Sequence, residues 1–249
     1  MSHRNKPNPN LIKNSHQRCQ TSKYKYCNSD IDSDKFYYIE MQDKACSSYY
    51  PEDEFNSMFI QRNIKNNVSV SHVNARRLHK NLDYLQMYLR TLKHNFSVIA
   101  VSETRASNDC VSLLNIPGYY STFKNRFSGG GAGVALFVRN CFKFTIHDDL
   151  SVINNDNFES IFIELSNSIS GNRISGAVCR LPGYSPDLVM NGFVKVLSVI
   201  SKTRTECLIA GDFNIDLLMY DENADTEDCI NNLTKIYLSH LYLDQYYLI

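Results

Sequence analysis

Cys207-Leu208-Ile209-Ala210-Gly211-Asp212-Phe213-Asn214 is an apolar run that ends in a carboxylate and a carboxamide two residues apart. A short apolar run closed by glycine reads as a buried strand. In a strand, residues i and i+2 point to the same face. Asp212 and Asn214 are therefore expected to aim at one point, just where the strand stops. A carboxylate at such a place can activate a water, and an amide can hold an oxyanion or orient the acid.

Working outward, other apolar runs end the same way. Val68, Val70 and Val73 make a first strand leading into Asn74. Leu82, Leu85, Leu89 and Leu92 recur at helical spacing and predict a helix over 79–93. Phe96 to Val101 is a continuous apolar run, expected of a strand buried on both faces, and it stops at Ser102-Glu103-Thr104. A loop region to Pro117-Gly118-Tyr119 follows, and Gly129 to Gly133 lead into a strand at 134–138. Further strands are expected at 160–165 and 173–179, joined as a hairpin by a polar, Gly-containing turn. Helices are expected at 193–201 and 226–243. This order predicts a layered α/β or α+β domain with two sheets and outer helices. Polar residues collect where the strands end, at Asn74, Glu103, Asp212 and Asn214, which is where sites commonly form.

The remaining sequence sets bounds. The 249 residues suffice for one sizeable core or a domain plus a tail; 43% are apolar and 21% charged, ordinary for a globular protein. The formal net charge is zero, so the total gives no steering towards nucleic acid. Residues 1–65 read as a polar, disordered tail, and 66–249 as the domain. The first part of the tail carries Arg4, Lys6, Lys13, Arg18, Lys23 and Lys25 without an acid. A solvated tail is the default for such a run, and contact with nucleic acid the alternative. A small helix is allowed after Pro51. The eight cysteines contain no CxxC pair, which argues for reduced thiols in an intracellular protein rather than zinc or a disulfide scaffold. No secretory signal and no membrane span are expected. The glycine cluster lacks the Gly-Lys-Ser/Thr ending of a nucleotide loop and precedes a strand; a tight turn or close backbone approach explains it better. His72 and His79 read as structural or exposed.

Five segments in order carry a family resemblance: Ser71-His-Val-Asn74-Ala-Arg-Arg-Leu78, Val101-Ser-Glu103-Thr104, Gly129 to Val138, Glu159-Ser-Ile-Phe-Ile-Glu164, and Ala210-Gly-Asp-Phe-Asn-Ile-Asp-Leu-Leu218. They resemble the endonuclease/exonuclease/phosphatase superfamily. Glu159-Ser160 and the Ile215-Asp-Leu-Leu218 extension make the chain similar to the endonuclease domain of non-LTR (LINE-type) retrotransposons. The resemblance implies a DNase I-like, two-sheet β-sandwich flanked by helices. It implies hydrolysis of a DNA phosphodiester with Mg²⁺ (or Mn²⁺), by a monomer with no other small-molecule cofactor, and work in the nucleus. Glu103 would bind the metal with Asn74 beside it. Asp212 would orient or deprotonate the attacking water, and Asn214 would hold the phosphate and Asp212 in register. Arg180 would meet a local carboxylate or a DNA phosphate. Glu159 has two readings, anchor of a neighbouring loop or part of the site.

Two departures from the family pattern matter. The family places a Tyr hydroxyl on the phosphate just before an Arg-Pro-Pro segment, whereas here the segment is Cys179-Arg180-Leu181-Pro182. A thiol is a weak donor. The family's later Ser-Asp-His motif is not reached before Ile249, so the expectation is a fold incomplete at its C-terminus. Ser239-His240 follows Asn214 too closely, without the Asp, to replace it. The expected activity is thus weak or lost. The alternatives are a non-catalytic remnant or binding module of the same fold and a superfamily phosphatase, against which Glu159-Ser160 and the extension argue.

Overall fold

The apolar run Phe96 to Val101 occupies the middle of the molecule because both of its faces are covered. In the computed structural model its strand β2 (Val98–Ser102) is buried at every position. Val98 and Ala100 face a second sheet, while Ile99 and Val101 face a helix. The structure describes residues 50–61, 68–125, 133–151, 158–166, 171–180, 186–203 and 205–214, with side chains omitted at 58–61 and 186–191. All of these belong to one compact unit, Tyr49–Ile249. The basic stretch of the tail, Gly129 to Ala132, the expected helix at 226–243 and Ser239-His240 lie outside the described residues.

Two four-stranded sheets make the core. In the first, β1 (Val70–Asn74) pairs in parallel with β2, which pairs antiparallel with β4 (Val134–Arg139), itself antiparallel to the edge strand β3 (Tyr119–Lys124). In the second, β5 (Lys143–Ile146), β6 (Phe158–Ser166) and β7 (Arg173–Arg180) are antiparallel, and β8 (Glu206–Asp212) joins β7 in parallel. Val98, Ala100, Leu136 and Val138 meet Ile161, Ile163, Ala177 and Ala210 between the sheets. The alternation of strand side chains then sends Phe158, Phe162, Ile174 and Val178 to the opposite face of the second sheet.

Each outer face is closed by a helix. Helix α2 (Leu78–Thr91) lays Leu82, Leu85 and Leu89 on the first sheet, with Leu92 just past its end, as the spacing predicts. Its other side leaves Tyr84, Met87 and Tyr88 exposed. Helix α3 (Pro186–Thr203), longer than expected, buries Phe193, Val196, Leu197 and Ile200 on the second sheet. Full burial of one such side chain stabilises by roughly 1.5–3 kcal/mol. A shorter helix, α1 (Glu52–Gln61), follows Pro51; Phe55 stacks near Phe96, and Asn56 donates to the Thr91 carbonyl at 2.9 Å. The result is an α+β domain of helix, sheet, sheet and helix layers.

Strands β3 and β5 have no clear signature in the sequence. Both are partly exposed edge strands, so their apolar alternation is diluted by Ser, Thr and Lys. Among the described residues no helix is long and apolar enough to cross a membrane.

Candidate active site

Three strand ends converge. Asn74 closes β1, Glu103 follows β2, and Asp212 closes β8 in the other sheet. The Asn74 amide Nδ2 donates to Glu103 Oε1 at 2.9 Å and to Asp212 Oδ2 at 2.6 Å. One carboxamide thus ties together two carboxylates from different sheets. Its own oxygen, Oδ1, accepts the Arg76 backbone N–H at 3.1 Å, which fixes the orientation of the amide. Arg105 Nη2 donates to the second oxygen of Glu103 at 3.3 Å. Among the described residues no Lys or Arg pairs with Asp212.

The loops bearing these groups are held in uncommon conformations. Arg76 (φ 48°), Arg77 (φ 122°), Glu103 (φ 51°), Arg105 (φ 45°) and Asn214 (φ 49°) all have positive φ; among the described residues the only other non-glycine to do so is Lys93. Such backbone angles persist only where surroundings over-determine them. Here the Arg77 N–H donates to the Glu103 carbonyl at 3.0 Å, Leu78 N–H to Thr104 at 2.8 Å, and Thr104 N–H to Gly133 at 3.1 Å. Gly133 (φ 71°) has no alternative, since a Cβ there would sit 2.4 Å from Thr104 Oγ1. This close approach accounts for the glycine that ends the cluster.

Asn214 reaches the site by a route other than strand alternation. The strand ends at Asp212, and Asn214 turns into the left-handed region, where Asn is tolerated. Its backbone N–H donates to Asp212 Oδ1 at 2.9 Å, an Asx turn, while its amide donates to the Arg180 carbonyl at 2.6 Å. Asx turn and site geometry are therefore the same feature. Arg180 meets backbone at this turn: its Nε donates to the Phe213 carbonyl at 2.6 Å and its Nη2 to the Asn214 carbonyl. Phe213 faces away and packs against Phe193. Gly211 is required because a Cβ would fall 1.8 Å from the Val178 carbonyl oxygen of the neighbouring strand.

Below this rim lies a buried floor. Glu159, Cys179 and Asp212 are register partners across β6, β7 and β8. Glu159 is fully buried and accepts the Gly133 backbone N–H. Of its two readings, that of loop anchor is the contact seen. Cys179 is 1% exposed. Burial, reinforced by Glu159 and Asp212, pushes its thiol up to about 12, while the Glu103 backbone N–H pulls weakly the other way. His72, unremarkable in the sequence, points into this floor and pairs with Ser102 through Nε2 and Oγ at 3.0 Å. Burial lowers its pKa, and the Asp212 charge opposes that shift. The signal for His72 is its place two residues before Asn74 on the same strand face.

The rim chemistry suits a hard divalent cation. Glu103 and Asp212 offer carboxylate oxygens tied together by one amide, with Arg105 as their counter-charge among the described residues. Mg²⁺ is held by one or two carboxylates completed by waters and phosphate oxygens. No group of three His, Cys, Asp or Glu side chains suited to a metal occurs among the described residues, so a cation at Glu103 and Asp212 would take its further ligands from water and phosphate.

No family model matches the chain, and no curated protein matches it in sequence. Solved structures do. The AP endonuclease LMAP from Leishmania major shares 13% identity over 78% of this chain and 76% of that one, with a TM-score of 0.52. The 3'-5' exonuclease NExo from Neisseria meningitidis shares 12% over 68% and 71%, with a TM-score of 0.50. The endonuclease domain of TRAS1, a telomere-specific non-LTR retrotransposon, shares 11% over 68% and 71%, with a TM-score of 0.47. At such identities the likeness defines the fold. The chain is a two-sheet, helix-flanked α+β protein. Within that class its fold is the DNase I-like fold of these structural neighbours.

Proposed function

We propose that this chain is a divalent-metal-dependent phosphodiester hydrolase of the retrotransposon endonuclease type, acting on DNA with slow turnover. The observation that carries this reading is the Asn74 amide bridging Glu103 and Asp212 across the two sheets. The motifs quoted from the sequence support the retrotransposon type.

Glu103, with Asn74 beside it, would hold Mg²⁺ or Mn²⁺, which when bound supplies a positive charge for the phosphate and leaving oxygens. Asp212 is fixed by Asn74 on one oxygen and by the Asn214 N–H on the other. A carboxylate so held can orient a water and take its proton as the water oxygen bonds to phosphorus. The P–O bond to the leaving oxygen then breaks. Arg180 and Asn214 lock the turn that aims Asp212, so their part is positioning. At Cys179, where the resemblance places a phosphate-binding hydroxyl, a buried neutral thiol donates weakly. Loss of one such donor slows turnover by roughly 10²–10³.

That same thiol favours a second reading, a DNA-binding module without turnover. Plasmid nicking by the full chain with Mg²⁺ separates the two. Slow nicking that disappears in both Asp212→Ala and Glu103→Ala is the expected result. Nicking that survives both substitutions would remove the assigned site, and DNA binding without any nicking would favour the second reading.

A further inference from the structure

Arg105 has no part in the chemistry described so far, yet the backbone presents it to Glu103 with unusual firmness. Glu103 and Arg105 both have positive φ, 51° and 45°, on either side of Thr104, which is fully buried. The segment is pinned from two directions. Glu103 and Thr104 carbonyls receive N–H groups from the start of α2, and the Thr104 N–H is tied to Gly133. Two left-handed residues so constrained have few ways to move apart. The loop therefore fixes the backbone of both residues, and Arg105 Nη2 lies 3.3 Å from Glu103 Oε2.

Glu103 thus has each oxygen in use, Oε1 by the Asn74 amide and Oε2 by the guanidinium. A divalent cation arriving at Glu103 meets a positive charge already there. The Glu103 side chain is 21% exposed and that of Arg105 45%, so the pair is partly screened by water but not dissolved by it.

We propose that Arg105 is a tethered counter-ion that competes with a divalent cation for Glu103, so that it sets the cation concentration at which the site fills. This rests on the reading of Glu103 as a cation ligand. Arg105 is a positioning residue here. It holds Glu103 in place while the site is empty and opposes binding by charge.

The test is Mn²⁺ binding to the full chain, followed by the loss of the free-ion electron paramagnetic resonance signal. Arg105→Asn removes the charge and suits the positive φ; Arg105→Lys keeps the charge. Arg105→Asn is expected to bind Mn²⁺ about 2- to 5-fold more tightly than wild type at low salt, the scale of a partly exposed ion pair. Arg105→Lys should stay within about 2-fold, and 1 M KCl should shrink the gap because it screens the charge. A purely structural role would not show this salt dependence. Equal or weaker binding by Arg105→Asn, with binding abolished by Glu103→Gln, would overturn the competition and leave Glu103 as ligand. Absence of Mn²⁺ binding in every variant would overturn both.

Discussion

Glu159 and Asp212 lie in one row across β6, β7 and β8, with Cys179 between them, yet they do different things. Glu159 is sealed between the sheets and turns its charge on a backbone N–H at Gly133. Asp212 sits at the rim, half-buried, and is held by one side-chain amide and one backbone N–H. Residue type therefore does not assign the role. Burial and partner do: a carboxylate walled off from solvent can brace a loop, whereas one at the open end can meet water and phosphate. The thiol between them inherits the field of both.

The largest expected effect of breaking this contrast is at the buried end. Glu159→Ala leaves the Gly133 N–H without this acceptor and opens a hole between the sheets. It is expected to destabilise the fold by about 3–5 kcal/mol, from the orphaned donor plus the cavity. Glu159→Gln keeps an acceptor oxygen and should lose about 1–2 kcal/mol. Urea unfolding of both variants checks this ordering. A Gln variant as unstable as the Ala variant would mean that the negative charge, not the hydrogen bond, holds the Gly133 loop.

The middle of the row gives a smaller effect, visible at high pH. The Cys179 thiol is raised from 9.0 to about 12 in the folded chain. The unfolded chain therefore releases this proton first as pH rises. The stability linked to it is complete below pH 9 and lost between there and about 12. By pH 11 the loss is about 2–3 kcal/mol, at roughly 1.4 kcal/mol for each pH unit over which only the unfolded thiol is ionised. Unfolding free energies of wild type and Cys179→Ala, each measured at pH 8 and pH 11, isolate this contribution from other groups that ionise in the same range. A wild type that declines no more steeply than Cys179→Ala would mean that burial and the two carboxylates do not raise this thiol.

The same contrast explains what can be read from the sequence. The buried strands are legible because continuous apolar runs such as Phe96 to Val101 leave few alternatives. Asn74, Glu103 and Asp212 are legible as a set because each terminates such a run, and strand ends in a two-sheet fold share an edge. Strand alternation gives the wrong geometry for Asn214, since alternation stops where the strand does and the Asx turn takes over. The job of Glu159 is not decidable from sequence, because nothing in its neighbours along the chain indicates that Gly133 comes to meet it. Arg105 escapes notice for a related reason: its placement comes from a positive φ, which leaves no pattern in the residues nearby. His72 reads in the sequence as structural or exposed, although it shares a strand face with Asn74 two residues on.

The smallest expected effect tests whether rim and floor share one electrostatic environment. His72 is lowered from 6.5 by burial, with Asp212 pulling the other way. Its neutral ring thus suits the folded state, and the associated stability is present above about 6.5 and falls away as the pH drops through the folded value. Replacing Asp212 by Asn removes the opposing charge but keeps the shape and an acceptor for Asn74. The His72 ring should then titrate lower still in a proton NMR titration of the imidazole signals. The direction is what matters. A downward move ties the floor to the carboxylate that would act on water, whereas an unchanged His72 would mean that the charge of Asp212 is confined to the rim and that the floor is set by burial alone.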